Sequence, residues 1–358
     1  MSDAYAAAGV DTRQADRGVA ALVAVLNGID TGAESRAVPL AGHYASVIRI
    51  APNLGVALAT DSVGSKVIVA EQAQRFSTIG IDCVAMNVND LICVGAEPLA
   101  LLDYLAVESA DSALLAELAE GLRAGAEDAG VEIPGGEVCQ LPEVIRGHPS
   151  PYGFDLVGSA FGTVALDAIV DGSACAPGDA LIGLPASGVH SNGLSLARRA
   201  LLGDGGLALG ARPPELGGAS VADVLLEPTV IYVRAVLRLL RSPIPVHGLA
   251  HITGGGLLNL LRLGEEVGFE ITEPLPVPSV FSLIAELGDV PASEMWEVFN
   301  MGCGFCVVVG ADDAERVVAT LSDRHPGAAV IGRVTSAAGR VAVPELGIEG
   351  EGGRVRAV

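Results

Sequence analysis

Twice along this chain an apolar strand pattern runs into a short loop of small and polar residues and out again into a helix pattern. The two stretches are "VALATDSVGSKVIVA" at 56–70 and "LIGLPASGVHSNGLSLARR" at 181–199. This handover constrains the fold most. It demands helices packed on sheets, and at each joint it leaves free main-chain amides at a helix N-terminus. Strands alternate with helices on both sides of a break near 170, where "DAIVDGS" begins, which predicts two α+β or α/β units. We place one domain at 1–169, a second at 170–345 and a tail at 346–358; a length of 358 residues suits two domains of ordinary size.

Local patterns fill in the rest. Helices are expected at 14–26, 66–75, 78–95 and 111–129, the last stopped by Gly130. Two strands share 44–60 across a Pro-Asn turn, "LALLDYLAVE" reads as a buried strand, and "IPGGEVCQLPE" (133–143) reads as a loop. The second half repeats the vocabulary, with helices at 227–241, 278–287 and 312–324, strands near 268–272 and 303–310, and a Gly loop at 253–256 opening a further helix.

Half the residues are hydrophobic and the formal net charge is −22. That charge argues against nucleic acid and against an anionic membrane surface, and it leaves a small-molecule substrate open. An anionic one is reachable only through local devices such as Mg²⁺, helix N-termini or a few cations. Residues 1–18 carry Asp3, Asp11, Arg13, Asp16 and Arg17 and no apolar signal core, and no run approaches the length of a membrane span. Six dispersed cysteines read as reduced thiols of a cytoplasmic protein; Cys303 and Cys306 form a CxxC at the mouth of a buried strand, structural rather than zinc-binding or redox-active.

Chemistry concentrates in four segments. Asp61 closes a strand, Gly64 and Ser65 turn the chain, and Lys66 is the one lysine among 21 basic residues. Lysine is a compact, rotatable point charge, so a loop that grips one phosphate oxygen favours it over arginine; an ordinary surface lysine is the plain alternative. The loop contributes little to the core, so replacing Lys66 is expected to leave folding intact. It is not a Walker A loop. "MNVNDLICVGAEP" places Asn87, Asn89 and Asp90 in an apolar helix, where a carboxylate needs a hydrogen-bond partner or a metal. Glu137 follows two glycines, a plain turn in isolation, but beside Asp61 and Asp90 a third oxygen ligand for Mg²⁺, which takes few carboxylates plus phosphates. Gly188, His190, Ser191 and Asn192 sit where a strand meets a helix, and His251, Thr253, Gly254 and Gly255 repeat that device. His247 and His251 are four apart without the Glu of H-E-x-x-H, so zinc is not expected there.

Together these segments resemble the phosphoribosylformylglycinamidine cyclo-ligase (AIR synthetase) family. "TDSVGSK" is similar to its T-D-G-V-G-[TS]-K pattern. "TIGIDCVAMNVNDLICVGAEPLALLDYLA", "YAAAGVD", "SGVHSNGLSL", "LLEPTVIYV", "HGLAHITGGG" and "FNMGCG" follow the family in order. Ser62 replaces a usual Gly, Val138-Cys139 replaces Thr-Ala, and "LAGHYASVI" replaces a glycine-rich stretch. The resemblance implies an α+β, two-domain fold: an N-terminal domain whose mixed or antiparallel sheet forms a barrel-like core in a homodimer, and a C-terminal α/β domain. It implies ATP-dependent closure of formylglycinamidine ribonucleotide to aminoimidazole ribonucleotide through an iminophosphate. In that reading Lys66, Asp90 and His251 are catalytic, and Asp61, Gly64, Ser65, Lys66, Asn89, Thr253, Gly254 and Gly255 bind ATP. Gly188, His190, Ser191 and Asn192 bind substrate, and Asp61, Asp90 and Glu137 hold Mg²⁺. The alternatives are another ATP-using member of the superfamily, a small-molecule kinase or dehydratase, or a non-catalytic nucleotide-binding paralogue.

Overall fold

The computed structural model describes residues 4–9, 12–40, 42–203 and 205–358; Asp3 and the Val10-Asp11 end of the "YAAAGVD" segment lie outside them. The first half comprises α1 (Ala4–Ala7), α2 (Thr12–Leu26), β1 (Ser46–Ala51), β2 (Leu54–Ser62), α3 (Lys66–Ala73), α4 (Ile79–Cys93), β3 (Glu97–Val107), α5 (Ser112–Ala129), β4 (Glu132–Gln140) and β5 (Phe154–Val164). Its sheet has the order β1-β2-β5-β3-β4, antiparallel throughout except for the β3/β4 pair, which α5 connects as a crossover. Asp111 caps α5 through the amides of Ala113 and Leu114, and Gly130 ends it in the left-handed conformation.

Helices α4 and α5 cover one face of this sheet and cross through glycine: a Cβ on Gly80 would stand 2.1 Å from the Leu122 amide nitrogen. The other face is bare of helices. There Ile48, Ile50, Leu58, Leu102, Tyr104 and Phe161 are 38–55% exposed, so β3 is buried on one side only. The segment expected as a loop, "IPGGEVCQLPE", is largely strand β4. Its Pro-Gly-Gly reads as turn chemistry, yet parallel pairing with β3 extends it, and Gly136 is needed because a Cβ there would press on the Asp103 carboxylate at 2.3 Å.

The second half comprises β6 (Ala180–Pro185), α6 (Leu194–Leu202), α7 (Val221–Leu226), α8 (Val233–Leu240), β7 (Val246–His251), β8 (Gly268–Ile271), α9 (Ser279–Gly288), α10 (Ala292–Val298), β9 (Cys303–Val309), α11 (Ala314–Ser322), β10 (Ala329–Thr335), β11 (Arg340–Val343), β12 (Ile348–Glu351) and β13 (Arg354–Ala357). These strands form one sheet in the order β13-β12-β11-β8-β10-β6-β9-β7. The helix expected at 227–241 is shorter, because Pro228 breaks the pattern between α7 and α8. The glycine loop opens a 3₁₀ helix over Gly256–Leu263 rather than an α-helix. α4 reaches across to pack against β7 and α8, which brings the two halves together at the residues the motifs single out.

Candidate active site

Lys66 is the first residue of α3, and its side chain is closed off from solvent. Its ammonium lies 3.0 and 2.8 Å from the two oxygens of Asp82 on α4 and 2.6 Å from the Glu227 carbonyl. Asp82 also accepts from the Ser191 hydroxyl at 3.0 Å, the Thr229 amide at 2.8 Å and the Thr229 hydroxyl at 2.7 Å. One buried carboxylate thus takes four donors, from both halves of the chain. The expectation that Lys66 can be replaced without disturbing the fold is overturned, because removing the cation would strand Asp82 in the interior. Sequence reasoning missed Asp82 and Thr229. The signal was present: Asp82, Met86, Asn89 and Asp90 fall on one face of a 3.6-residue helix.

Two turns along the same helix stands Asp90. Its Oδ1 is 2.8 Å from Nδ1 of His251 at the end of β7. Asn89 accepts the Tyr232 amide through Oδ1 at 3.0 Å and donates to the Val230 carbonyl at 2.9 Å. That orientation turns its NH₂ toward His251 Nε2 at 3.5 Å, so the ring carries its proton on Nδ1 and donates it to Asp90. Asn87 clamps the backbone of Asp61: Oδ1 accepts the Asp61 amide at 2.9 Å and Nδ2 donates to the Asp61 carbonyl at 3.2 Å. Gly158 leaves room for this clamp, since a Cβ there would meet Asn87 Nδ2 at 2.4 Å. Burial and then repulsion from Asp90 push the Asp61 carboxyl up to about 6, against weaker relief from the Ser62 amide and His251. Ser62 itself needs no glycine, for its φ is not positive.

The structure therefore joins Asp61, Asp90 and His251. Glu137 stands apart: Asp61 pairs with Gly158, Gly158 with Asp103 and Asp103 with Gly136, so β4 is three strands away, roughly 14 Å. Glu137 pairs with Tyr104, whose ring belongs to the open face. Among the described residues no group of three or more His, Cys, Asp or Glu side chains is set to hold a metal within one chain. Two mutually repelling carboxylates with free lone pairs do fit a divalent cation.

A tight cleft beside them is lined by Met86, His190, Asn192, His251, Thr253 and Asn300. His190 has a φ of 62° and is 3% exposed. Its Nε2 accepts from the amides of Ser187 at 3.2 Å and Val230 at 3.5 Å, which leaves Nδ1–H as a buried donor without a partner. Burial, with His251 and Lys66 nearby, holds this imidazole well below its ordinary range, so it is neutral. Asn300, which sequence reasoning passed over inside "FNMGCG", donates to the Gly188 carbonyl at 2.9 Å and fixes the loop. Gly254 faces Asn192, where a Cβ would stand 3.2 Å from Oδ1; Gly255 has a φ of 99° and Gly64 one of 70°. Thr253 and Gly254 present their carbonyls to Asn259, which pins the turn at 3.4 and 3.2 Å. Ser65 Oγ lies 3.0 Å from Ser195 Oγ.

Three comparisons with known proteins place this arrangement in a class and then in a family. Residues 42–164 match the family model "AIR synthase related protein, N-terminal domain", and residues 176–343 match its C-terminal counterpart. Solved structures share the fold: a thiamine-monophosphate kinase from Stenotrophomonas maltophilia (TM-score 0.60, 20% identity, 87% of this chain and 92% of that one) and the hydrogenase maturation protein HypE in complex with ATP (0.58, 22%, 86% of each). The chain belongs to the phosphoribosylformylglycinamidine cyclo-ligase family. It is 46% identical over 333 residues to the protein of that name from Methanothermobacter thermautotrophicus, covering 92% of this chain and 94% of that one. It is 45% identical over 348 residues to that of Thermococcus gammatolerans, covering 96% and 99%.

Proposed function

We propose that this chain is an ATP-dependent cyclo-ligase that closes formylglycinamidine ribonucleotide to aminoimidazole ribonucleotide, releasing ADP and phosphate. The observation that carries the reading is the cleft, where a buried unpartnered His190 donor stands beside the His251–Asp90 pair, on a frame shared with cyclo-ligases along almost their whole length. The amide oxygen of the substrate attacks the γ-phosphorus of ATP, the substrate's own amine then closes the ring, and phosphate leaves. Both nucleophiles belong to the substrate, so the protein contributes position and charge neutralisation. Asp61 and Asp90 would hold Mg²⁺, which supplies neutralisation of phosphate charge when bound. His251 fixes Asp90 by donating from Nδ1, and Thr253, Gly254 and Gly255 offer a turn to the phosphates. His190 donates to a substrate oxygen, Asn192 orients it, and Lys66 pins the loop from behind through Asp82.

The bare apolar face of the first sheet supports a homodimer in which two such sheets close on each other, and Glu137 then belongs to the junction and to the site of a second copy. The six cysteines are free, which fits the cytoplasm, and among the described residues no helix is long and apolar enough to cross a membrane. A coupled assay of ADP release and imidazole formation from formylglycinamidine ribonucleotide tests the activity. ADP without ring closure points to a kinase; tight ATP binding without turnover points to a non-catalytic relative.

A further inference from the structure

A cavity of about 360 Å³ runs along one face of α6, lined by Ala7, Ala8, Gln72, Ser195, Arg198 and Arg199. Asn192 lines the catalytic cleft and Ser195 this cavity, on consecutive turns of chain, and the Ser195 hydroxyl touches Ser65 of the β2–α3 loop. Arg198 is the feature in need of an explanation. Among the arginines whose side chains are described, every other one is either engaged in a hydrogen bond or ion pair or exposed; Arg198 is half-buried, with its Nε enclosed and without a partner. The acidic group nearby, Glu71, is turned elsewhere and accepts the His148 amide at 2.6 Å. Burial also depresses the Arg198 guanidinium, and the charge of Glu71 offsets this only in part. The enclosed Nε still lacks an acceptor, which an anion from outside would supply. A guanidinium fork with a second arginine and a hydroxyl beside it is the chemistry that receives a phosphate monoester.

We propose that this cavity is the subsite for the 5′-phosphate of the ribonucleotide substrate, with Arg198 as its main ligand. The proposal rests on the cyclo-ligase reading and extends it: the reacting end of the substrate lies against Asp90 and His190 while its phosphate is anchored at α6.

Steady-state kinetics on Arg198→Met and Arg198→Lys test it, with the ribonucleotide and its dephosphorylated riboside compared as substrates. The Met variant should raise KM for the ribonucleotide roughly 10- to 100-fold, the range of one lost charge-assisted contact. KM for ATP should stay, and the preference for ribonucleotide over riboside should collapse. The Lys variant should recover part of that preference. Thermal stability should hold or rise, because a buried unpaired donor has been removed. An intact preference overturns the proposal, as does a lowered Tm with unchanged KM, which makes Arg198 structural. A rise in KM for ATP instead assigns the cavity to the nucleotide triphosphate and overturns it too. Should the wild-type enzyme not turn over the ribonucleotide, the cyclo-ligase reading fails by itself. Calorimetric titration with ribose 5-phosphate then decides the subsite: binding to wild type and not to Arg198→Met upholds it, and equal binding or none sinks it.

Discussion

Asp82 and Asp90 are the same residue type on the same face of the same helix, two turns apart, yet their surroundings differ completely. Asp82 is enclosed by four donors, one of them a full positive charge. Asp90 has one histidine and faces a second carboxylate, Asp61, which it repels. A carboxylate surrounded by donors and a cation holds structure together, whereas one left with open lone pairs beside a like charge has room for a cation. Burial alone does not separate the two cases; the count of donors does.

Breaking the first environment should have the largest effect. Lys66→Ala leaves Asp82 buried without its cation and should lower stability by about 3–5 kcal/mol, measured by chemical denaturation. Lys66→Met combined with Asp82→Leu should recover part of the loss, since both charges leave together; no recovery would mean that the Ser191 and Thr229 bonds dominate. Breaking the second environment should do the reverse. Asp90→Asn should lower kcat about 10²–10³-fold with Tm unchanged or higher, because a repulsion is relieved. A Tm loss with near-normal turnover would place Asp90 with Asp82.

A pH test sharpens the contrast. The Asp61 carboxyl is raised to about 6 in the folded state, so between its ordinary range and about 6 the native protein holds more protons than the unfolded chain. Metal-free stability should therefore rise as pH falls through that window. Mg²⁺ should raise Tm near neutral pH, and the gain should fade below about 6, where Asp61 is protonated. A gain from Mg²⁺ that ignores pH would remove Asp61 from the metal site. The smallest effect is expected at Glu137: Glu137→Gln should weaken the Mg²⁺ response by about 10-fold. Leu102→Asp, which charges the open face, should produce the same weakening together with a halved mass in sedimentation. A normal response in a monomeric variant would separate Glu137 from the metal.

That Asp61 and Asp90 stand out as candidates was legible in the sequence, because a carboxylate beside a glycine loop or within an apolar helix breaks the expected pattern; that they face each other was not. The alternation of strands and helices was legible for the same reason, being a local periodicity. Lys66 was visible as an oddity but not as a buried residue, since its partners Asp82 and Glu227 lie 16 and 161 positions away and nothing local names them. Strand β4 was hidden because Pro-Gly-Gly is turn chemistry until β3 supplies a ladder. Glu137 joined the metal set on residue type alone, and its face of the sheet depends on a register no local pattern prints.

The pin at Asp82 also bears on how such a chain can be recombined. Lys66 and Asp82 come from the first half, Thr229 and Ser191 from the second, and each is buried on the expectation that the others are present. A chimera that takes one half from a relative lacking this set would leave buried polar groups without their partners at the seam. The two halves are therefore modular in outline but not interchangeable, and grafting one of them means carrying these four side chains along as a unit.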